Sequence, residues 1–508
     1  MSVDQLDKTT NTGCTPGGPG ARRCYRPVVF PTRTIALLTV SAFVWHLGWS
    51  ATIPVPVDWD AAYYLDVARN IAEGRGAVSR SIWHLSGPEL PLPLPADLHW
   101  MPLPSRVLVP GVWLAGATGA AVTTALCAAL WVPVAAGLAV GAGEGRAGPH
   151  VVMAGILAGL AGGYVRFLST PDSVALYGLL GAGALLAASR GKLWSALLAC
   201  VLAALCRGDG FLLAACVALP FVLDRRWLAA GVVAASGPVA ALLWYLRCLL
   251  LAGPSWLESR SRTADALHIH DLVLGRVSDP TVVDRMLGVG TAVQNALSVA
   301  IVVGVLVLPL FALVGAWRLR RRAWVLAAVG YAVLMPVVTG FLAPGVAASG
   351  TSFRSGAALF PVACALAAER CVALGRLGHV KRGYPEWLIP AALLVVVGAG
   401  ASAMGLATAA ARPVPAFDCP SLKAAGGPVL TGRPLELTAR CDVPTVGLFV
   451  GEEAEAVRRR AQAHGARTAW LPERDVDPLV PTVTHQNALL DGWIAQSPGV
   501  YVAPADSP

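Results

Sequence analysis

The segment VDWDAAYYLDVARNIAEGRG (57–76) concentrates residues that can do acid–base chemistry beside a long apolar run. Asp58 and Asp60 are two positions apart, so in an extended stretch their carboxylates share one face. Such a pair can take up a proton as a general base, and it could hold a divalent cation weakly. Asp60 also lies where a helix should begin, and aspartate is a favoured N-cap residue. Capping alone and capping combined with catalysis are both open for Asp60.

Three arginines, Arg166, Arg207 and Arg354, lie at turns between apolar runs. A planar guanidinium forms bidentate charged hydrogen bonds with phosphate, so each is a candidate phosphate ligand. The alternative for each is an interfacial side chain that reaches the lipid headgroups. Arg207 could also form a local ion pair with Asp209. Asp172 could be a helix N-cap or a second acid of the site.

Five further polar residues lie in the loops between apolar runs. His268, His270 and Asp271 form an H-x-H-D cluster, but two histidines two apart share a metal only on a strand, and no third ligand is evident. A solvated loop is favoured there over a lid that contacts a donor or a metal.

His99 and Trp100 are either interfacial anchors or part of the lining of a substrate cavity.

The composition indicates what kind of molecule positions these residues. Hydrophobic residues make up 56% of the 508 residues and charged residues 14%, against about 25% charged in soluble domains. Apolar runs of the ~20 residues that span a bilayer recur between residues 34 and 410. The net charge of +9 comes from residues 1–410, which hold 30 Lys/Arg against 19 Asp/Glu, whereas 411–508 hold 9 against 11. This distribution is typical of cationic cytoplasmic loops rather than of a nucleic-acid binder.

Placing each Lys/Arg cluster in the cytoplasm gives one consistent topology. It predicts a polytopic α-helical membrane protein with about 11 spans, a disordered cytoplasmic tail (1–33), a transmembrane domain (34–410), and outer loops at 54–105 and 253–290. A membrane-edge segment is expected at 106–117. The spans are expected at 34–53, 118–142, 150–167, 173–189, 193–206, 211–223, 227–252, 291–316, 323–343, 355–375 and 386–410.

The first outer loop should carry an amphipathic helix that starts at Asp60 and lies on the outer membrane surface. Its apolar face would hold Tyr64, Leu65, Ala68, Ile71 and Ala72, and its polar face Asp66, Arg69, Asn70 and Glu73.

Residues 411–508 have the pattern of a small α/β domain outside the membrane, since strand–helix–strand spacing favours a parallel pair. Strands are predicted at 428–432, 446–450 and 467–471, and a helix at 452–465. The segment lacks any acid–base or phosphate motif, so it is interpreted as a non-catalytic module. Cys419 and Cys441 could form a disulfide if it faces an oxidising compartment.

Four segments resemble the C-type superfamily of membrane glycosyltransferases, in particular the aminoarabinose transferases of lipid A and the protein O-mannosyltransferases. They are DAAYYLDVARNIAEGRG after the first span, HWMPLPS (99–105), TPDS (170–173) and GTSFRSGAALFP (350–361). The resemblance implies transfer of a sugar from a polyprenyl-phosphate donor to a lipid, glycan or protein acceptor on the outer face of the cell membrane.

The resemblance also implies roles for individual residues. The catalytic acid of the family falls on Asp60, with Asp58 in reserve because Ala61 replaces the second acid found in many members. Arg354 lies in the turn where a basic residue precedes serine in the family. It is therefore a stronger candidate for the donor phosphate ligand than Arg207 or Arg166. The substrate cavity would be lined by Tyr63, Tyr64, His99, Trp100, Asp172 and Ser355. No cofactor is certain, a divalent cation is possible, and the metal ligands are unknown.

Two other classes of function remain open. A transporter or flippase of lipid-linked sugars should show charged or broken segments near the bilayer midplane and an internal repeat. The sequence shows no repeat between its halves, and its polar residues cluster at the outer side. A sensor or scaffold acting through residues 411–508 is disfavoured because that segment has no motif of its own.

Overall fold

The computed structural model describes the greater part of the chain. The described residues are 32–53, 59–82, 91–143, 148–253, 289–290, 293–294, 307–342, 352–375, 388–410, 417–448, 454–471, 494–497 and 500–503. Asp58 and the cluster of His268, His270 and Asp271 lie outside the described residues, as do residues 1–31 of the predicted tail and most of the second outer loop.

Apolar helices rich in alanine, leucine and valine form most of the molecule. They are α1 (Thr32–Ser50), α2 (Trp59–Ala72), α3 (Leu103–Ala129), α4 (Trp131–Ala142), α5 (Pro149–Leu160), α6 (Val165–Leu168), α7 (Ser173–Ser189), α8 (Leu193–Cys206), α9 (Gly210–Val217), α10 (Leu219–Leu223), α11 (Trp227–Ala252), α12 (Val307–Arg318), α13 (Ala323–Leu342), α14 (Ser352–Gly356), α15 (Phe360–Gly375) and α16 (Leu388–Ala410).

Five helical stretches among the described residues are long and apolar enough to cross a membrane. They are Leu103–Ala142, Pro149–Leu168, Trp227–Ala252, Ala323–Gly340 and Phe353–Leu374. Shorter apolar helices accompany them, including Leu193–Cys206 and Gly210–Leu223, where spans are expected at 193–206 and 211–223. The chain is a helical membrane protein, and the count of 11 spans stays a prediction.

The segment 103–142 breaks close to its expected division at residue 118. α3 runs from Leu103 to Ala129, but its two helical parts are separated by non-helical geometry at Ala115 and Gly116. Gly116 has a φ of 58°, which glycine adopts readily because it has no Cβ. The chain turns again at Leu130 and continues as α4.

Helix α2 is covered on both faces, so it lacks the solvated polar face expected of an amphipathic helix, and its place on the outer membrane surface stays a prediction. Its apolar face packs against Leu108 and Val112 of α3 and against Leu435, which comes from the C-terminal part of the chain. Asp66 and Asn70 of the predicted polar face are also fully buried. Asp66 accepts from Arg80, and Asn70 donates to the Val78 carbonyl. Sequence periodicity shows which residues share a face but not which protein groups cover it.

The C-terminal part forms a sheet that also takes in the first outer loop. Its elements are α17 (Cys419–Ala425), β4 (Val429–Thr431), α18 (Pro434–Cys441), β5 (Thr445–Gly447), α19 (Ala454–Ala463), β6 (Thr468–Trp470), β7 (Ile494–Ser497) and β8 (Val500–Val502). The first loop contributes β1 (Val78–Ser79), β2 (Ser81–Ile82) and β3 (Leu94–Pro95). The six-stranded order is β2-β5-β4-β6-β8-β7, parallel as far as β6 and antiparallel from β6 to β7, while β1 and β3 pair separately.

Candidate active site

Asp60 lies in the first turn of α2, where the partial positive charge of a helix N-terminus favours a carboxylate. Its Oδ2 atom is 2.5 Å from Nη1 of Arg354, and its side chain is 13% exposed. The carboxylate is therefore held by a specific cation at the edge of the buried core, and capping alone does not describe its surroundings.

Arg354 lies on the short helix α14, between two carboxylates. Its Nη2 atom is 3.6 Å from Oδ2 of Asp172, whose other carboxylate oxygen accepts the backbone N–H of Val174 and so caps α7. Both interpretations of Asp172 thus have a basis in the geometry, because one oxygen caps the helix while the other faces Arg354. The Tyr164 hydroxyl donates to the Phe353 carbonyl at 2.7 Å and fixes the backbone next to Arg354.

Arg207 is held beside the same short helix by a buried polar network. Its Nε atom donates to Asp209 Oδ1 at 3.0 Å, which is the predicted local ion pair, and its Nη2 atom donates to Ser355 Oγ at 3.3 Å. The Tyr331 hydroxyl donates to Asp209 Oδ2 at 3.0 Å and lies 2.7 Å from the Tyr177 hydroxyl. Because Ser355 follows Arg354 in the chain, this network brings two guanidinium groups to one place.

Tyr64 follows Asp60 by one helical turn and is buried. Burial and the negative charges of Asp60 and Asp172 raise the pKa of its phenol well above the usual range, against the opposing charge of Arg207. The phenol stays protonated at neutral pH and can donate a hydrogen bond into the space among these residues.

The predicted cavity residues divide into two groups. Tyr64, Asp172 and Ser355 lie with Asp60, but Tyr63 points elsewhere, since its hydroxyl accepts the backbone N–H of Asp97. Trp100 lies between the groups, its ring centroid 4.2 Å from that of Tyr63 and 6.5 Å from that of Tyr64.

The remaining two candidates lie at the margins of the site. His99 lines a small cavity together with Tyr63, Ser79 and Ser81, close to the first-loop strands. The Arg166 guanidinium lies 4.9 Å from the Phe167 ring centroid, and that of Arg354 lies 6.0 Å from the same centroid. Arg166 is therefore a neighbour of the site rather than a member of the Ser355 network.

Tyr177 and Tyr331 orient Asp209 but were not among the residues predicted from the sequence. Each is a phenol inside a predicted span, and a polar group within a span is a signal that could have found them. Within the described part of the chain, no three His, Cys, Asp or Glu side chains lie close enough together to hold a metal ion.

Solved structures of membrane proteins share this architecture. ArnT from Cupriavidus metallidurans bound to undecaprenyl phosphate aligns with a TM-score of 0.56 and 13% identity over 94% of this chain and 100% of that one. An Archaeoglobus fulgidus oligosaccharyltransferase with zinc and sulfate aligns with a TM-score of 0.52 and 13% identity over 84% and 67%.

A third structure is AglB of Archaeoglobus fulgidus in complex with an inhibitory peptide and a dolichol-phosphate. It aligns with a TM-score of 0.51 and 13% identity over 85% of this chain and 69% of that one. No family model and no curated protein matches the sequence. ArnT and the oligosaccharyltransferase are C-type superfamily members, and the resemblance predicted from four short segments is confirmed as a shared fold: that of the C-type membrane glycosyltransferases.

Proposed function

We propose that this protein is an integral-membrane glycosyltransferase that moves a sugar from a polyprenyl-phosphate donor to a lipid, glycan or protein acceptor. The observation that carries the proposal is Arg354 between Asp60 and Asp172, beside Arg207, in a fold shared with proteins solved with polyprenyl phosphates. Transfer of a sugar from a phosphate needs a base for the acceptor and positive charge for the leaving phosphate. The carboxylate and the two arginines at this place can supply both.

Asp60 is the general base in this proposal. It takes the proton of the acceptor hydroxyl as the acceptor oxygen bonds to the anomeric carbon of the sugar. The bond from that carbon to the phosphate oxygen breaks on the opposite face, and the polyprenyl phosphate leaves with the bonding electron pair. Arg354 and Arg207 stabilise the negative charge that grows on the leaving phosphate.

Arg354 has to change partners in this mechanism. In the donor-free protein its guanidinium neutralises Asp60, and a carboxylate paired with a cation is a weaker base. A donor phosphate competes for the same guanidinium, so binding of the donor releases Asp60 for the acceptor. Asp58 remains the reserve base.

The orientation in the membrane is part of the proposal. Asp60, the first loop and the C-terminal sheet would lie on the outer side, with the N-terminus in the cytoplasm and about 11 spans between. The disulfide between Cys419 and Cys441 supports this orientation, because such bonds persist in oxidising compartments. The 411–508 segment would be an extracytoplasmic α/β module without catalytic groups of its own.

The test is a transfer assay on purified full-length protein with a panel of labelled polyprenyl-phosphate sugars and candidate acceptors. Asp60→Asn should lower the rate by about 10²–10⁴-fold, since asparagine caps a helix but cannot act as a base. Asp224→Asn, at an exposed position beyond α10, is the matched control and should keep the parent rate.

Three outcomes would change the assignment. Collapse in Asp58→Asn with normal turnover in Asp60→Asn would move the base to Asp58. Survival of both single variants and of the double variant would contradict the carboxylate mechanism. Movement of a lipid-linked sugar across proteoliposomes without any transfer would favour the flippase.

A further inference from the structure

The end of α2 opposite to Asp60 is attached to the C-terminal part of the chain. Arg69, in the last turn of α2, donates from Nη1 and Nη2 to the Ala439 carbonyl of α18 at 3.2 and 3.3 Å. Leu435 and Ala439 of α18 belong to the same apolar cluster as the buried face of α2. The helix whose first turn holds Asp60 therefore ends against the C-terminal part of the chain.

Arg80 connects the two parts by charge. Its Nη2 atom is 3.1 Å from Asp66 Oδ1 on α2 and 2.6 Å from Asp442 Oδ1, which follows α18. Its backbone N–H also donates to Asp66 Oδ2 at 3.1 Å. Asp66 is fully buried, so Arg80 is the cation that makes this carboxylate tolerable inside the protein.

The chain directly after Arg80 is built into the same domain. β2 pairs in parallel with β5, with Ser81 opposite Thr445. The Ser81 hydroxyl also donates to Thr438 Oγ1 of α18 at 2.6 Å. The bonds of Ser81 to β5 and α18 thereby fix the chain next to Arg80. The Arg80 guanidinium in turn binds Asp66 on α2.

We propose that Arg80 and Asp442 are positioning residues for sugar transfer: through Asp66, they let the C-terminal domain set the placement of α2 and hence of Asp60. This inference rests on the proposed function and deepens it. Asp60 and Arg69 are nine residues apart, about 13 Å along a helix. A small rotation of α2 about its attached end would shift Asp60 relative to Arg354, and a misplacement of about 1 Å can cost roughly 10²-fold in rate.

Asp442 is the position at which to test this. Its side chain is 47% exposed, so its loss should not prevent folding. Its backbone has a φ of 57°, a left-handed conformation that asparagine also tolerates. Asp442→Ala removes the contact with Arg80, whereas Asp442→Asn keeps a side-chain oxygen for it. Arg459→Gln, at an exposed position on α19, is the control in the same domain.

Two measurements on the full-length variants separate positioning from folding. In Asp442→Ala, the amides of α2 should exchange with deuterium faster than in the parent while those of α7 are unchanged. Its kcat per folded molecule should fall by about 10-fold or more at an unchanged KM for the donor, and Asp442→Asn should recover most of that loss. The control should match the parent in both measurements.

Unchanged exchange in α2, or faster exchange with an unchanged kcat, would overturn the positioning role. If the parent transfers no sugar from any donor, the proposed function fails separately. The exchange measurement then still decides whether Asp442 holds α2.

Discussion

Two arginines each lie between a carboxylate of α2 and a carboxylate of another element. The Arg354 bridge joins Asp60 to Asp172, and the Arg80 bridge joins Asp66 to Asp442. In the Arg80 bridge the α2 carboxylate is completely buried and accepts bonds from one backbone and two side-chain nitrogens. In the Arg354 bridge the α2 carboxylate is partly exposed and lies against a guanidinium nitrogen of Arg354.

The contrast separates an ion pair that holds the structure from one that is available for chemistry. A fully buried carboxylate bound to an arginine cannot change partners without a large penalty. A partly exposed carboxylate can exchange its arginine for a substrate at a lower cost. The same pattern of charges thus serves attachment at one end of α2 and, we propose, catalysis at the other.

The pKa values of Asp66 and Asp442 at the Arg80 bridge are shifted in opposite directions because the two carboxylates are buried to different extents. Burial raises the pKa of Asp66 above its usual value, and the charge and hydrogen bonds of Arg80 only partly oppose this effect. Burial also raises the pKa of Asp442, but the hydrogen bond and charge of Arg80 and the charges of Arg69 and Arg75 together outweigh it, so that this pKa is lowered.

The largest expected effect comes from breaking the Arg80 bridge. Arg80→Gln leaves Asp66 buried without its cation, which costs about 3–5 kcal/mol in comparable pairs. We expect a marked fall in the yield of folded protein and in Tm, measured by size-exclusion chromatography and thermal unfolding in detergent. Adding Asp66→Asn should restore part of the loss, because the buried charge is then removed. A parent-like Tm for Arg80→Gln would mean that Asp66 is not the structural carboxylate.

Breaking the Arg354 bridge should instead leave the fold intact and weaken donor binding. Arg354→Gln removes a charged hydrogen bond to phosphate, and such bonds contribute about 1.5–3 kcal/mol. The Kd for undecaprenyl phosphate, measured by thermophoresis, should rise about 10- to 100-fold at a parent-like Tm. Arg321→Gln, an exposed arginine after α12, is the control and should bind as the parent does. Equal affinity in both variants would remove Arg354 from the donor site.

Local spacing predicted the parts of the site that lie close in sequence. The start of α2 within one residue of Asp60, the Arg207–Asp209 pair and the capping by Asp172 each involve residues within a few positions of one another. Turn and cap chemistry acts at that range, so it can be read directly from the sequence.

The attachment of α2 could not be predicted because it depends on distant residues. Arg80 and Asp442 are separated by 362 positions, and β2 is a two-residue strand whose pairing is set by β5. The polar face of α2 has the pattern of a solvated surface, since periodicity shows which residues share a face but not what covers it.

A smaller effect tests whether Asp60 and the donor phosphate compete for Arg354. Asp60→Asn removes the negative partner, so undecaprenyl phosphate should bind several-fold more tightly even though transfer is lost. The gain should vanish in a double variant that also carries Arg354→Gln. Asp66→Asn, on the same helix but in the Arg80 bridge, should leave the Kd unchanged. Weaker or unchanged binding in Asp60→Asn would contradict a change of partners by Arg354.

The smallest expected effect is the pH dependence of the Arg80 bridge at its exposed end. The folded pKa of Asp442 lies below its unfolded value of about 3.9. Its ionised form therefore stabilises the fold above that pH, and the contribution is lost as the pH falls through the folded pKa. The Tm of the parent should exceed that of Asp442→Asn between about pH 5 and 7, and the difference should shrink progressively as the pH falls below about 4. Because half-exposed pairs contribute about 1 kcal/mol or less, the difference should be a few degrees at most. A difference that persists or grows at low pH would show that Asp442 stabilises the domain by its shape rather than by its charge on Arg80.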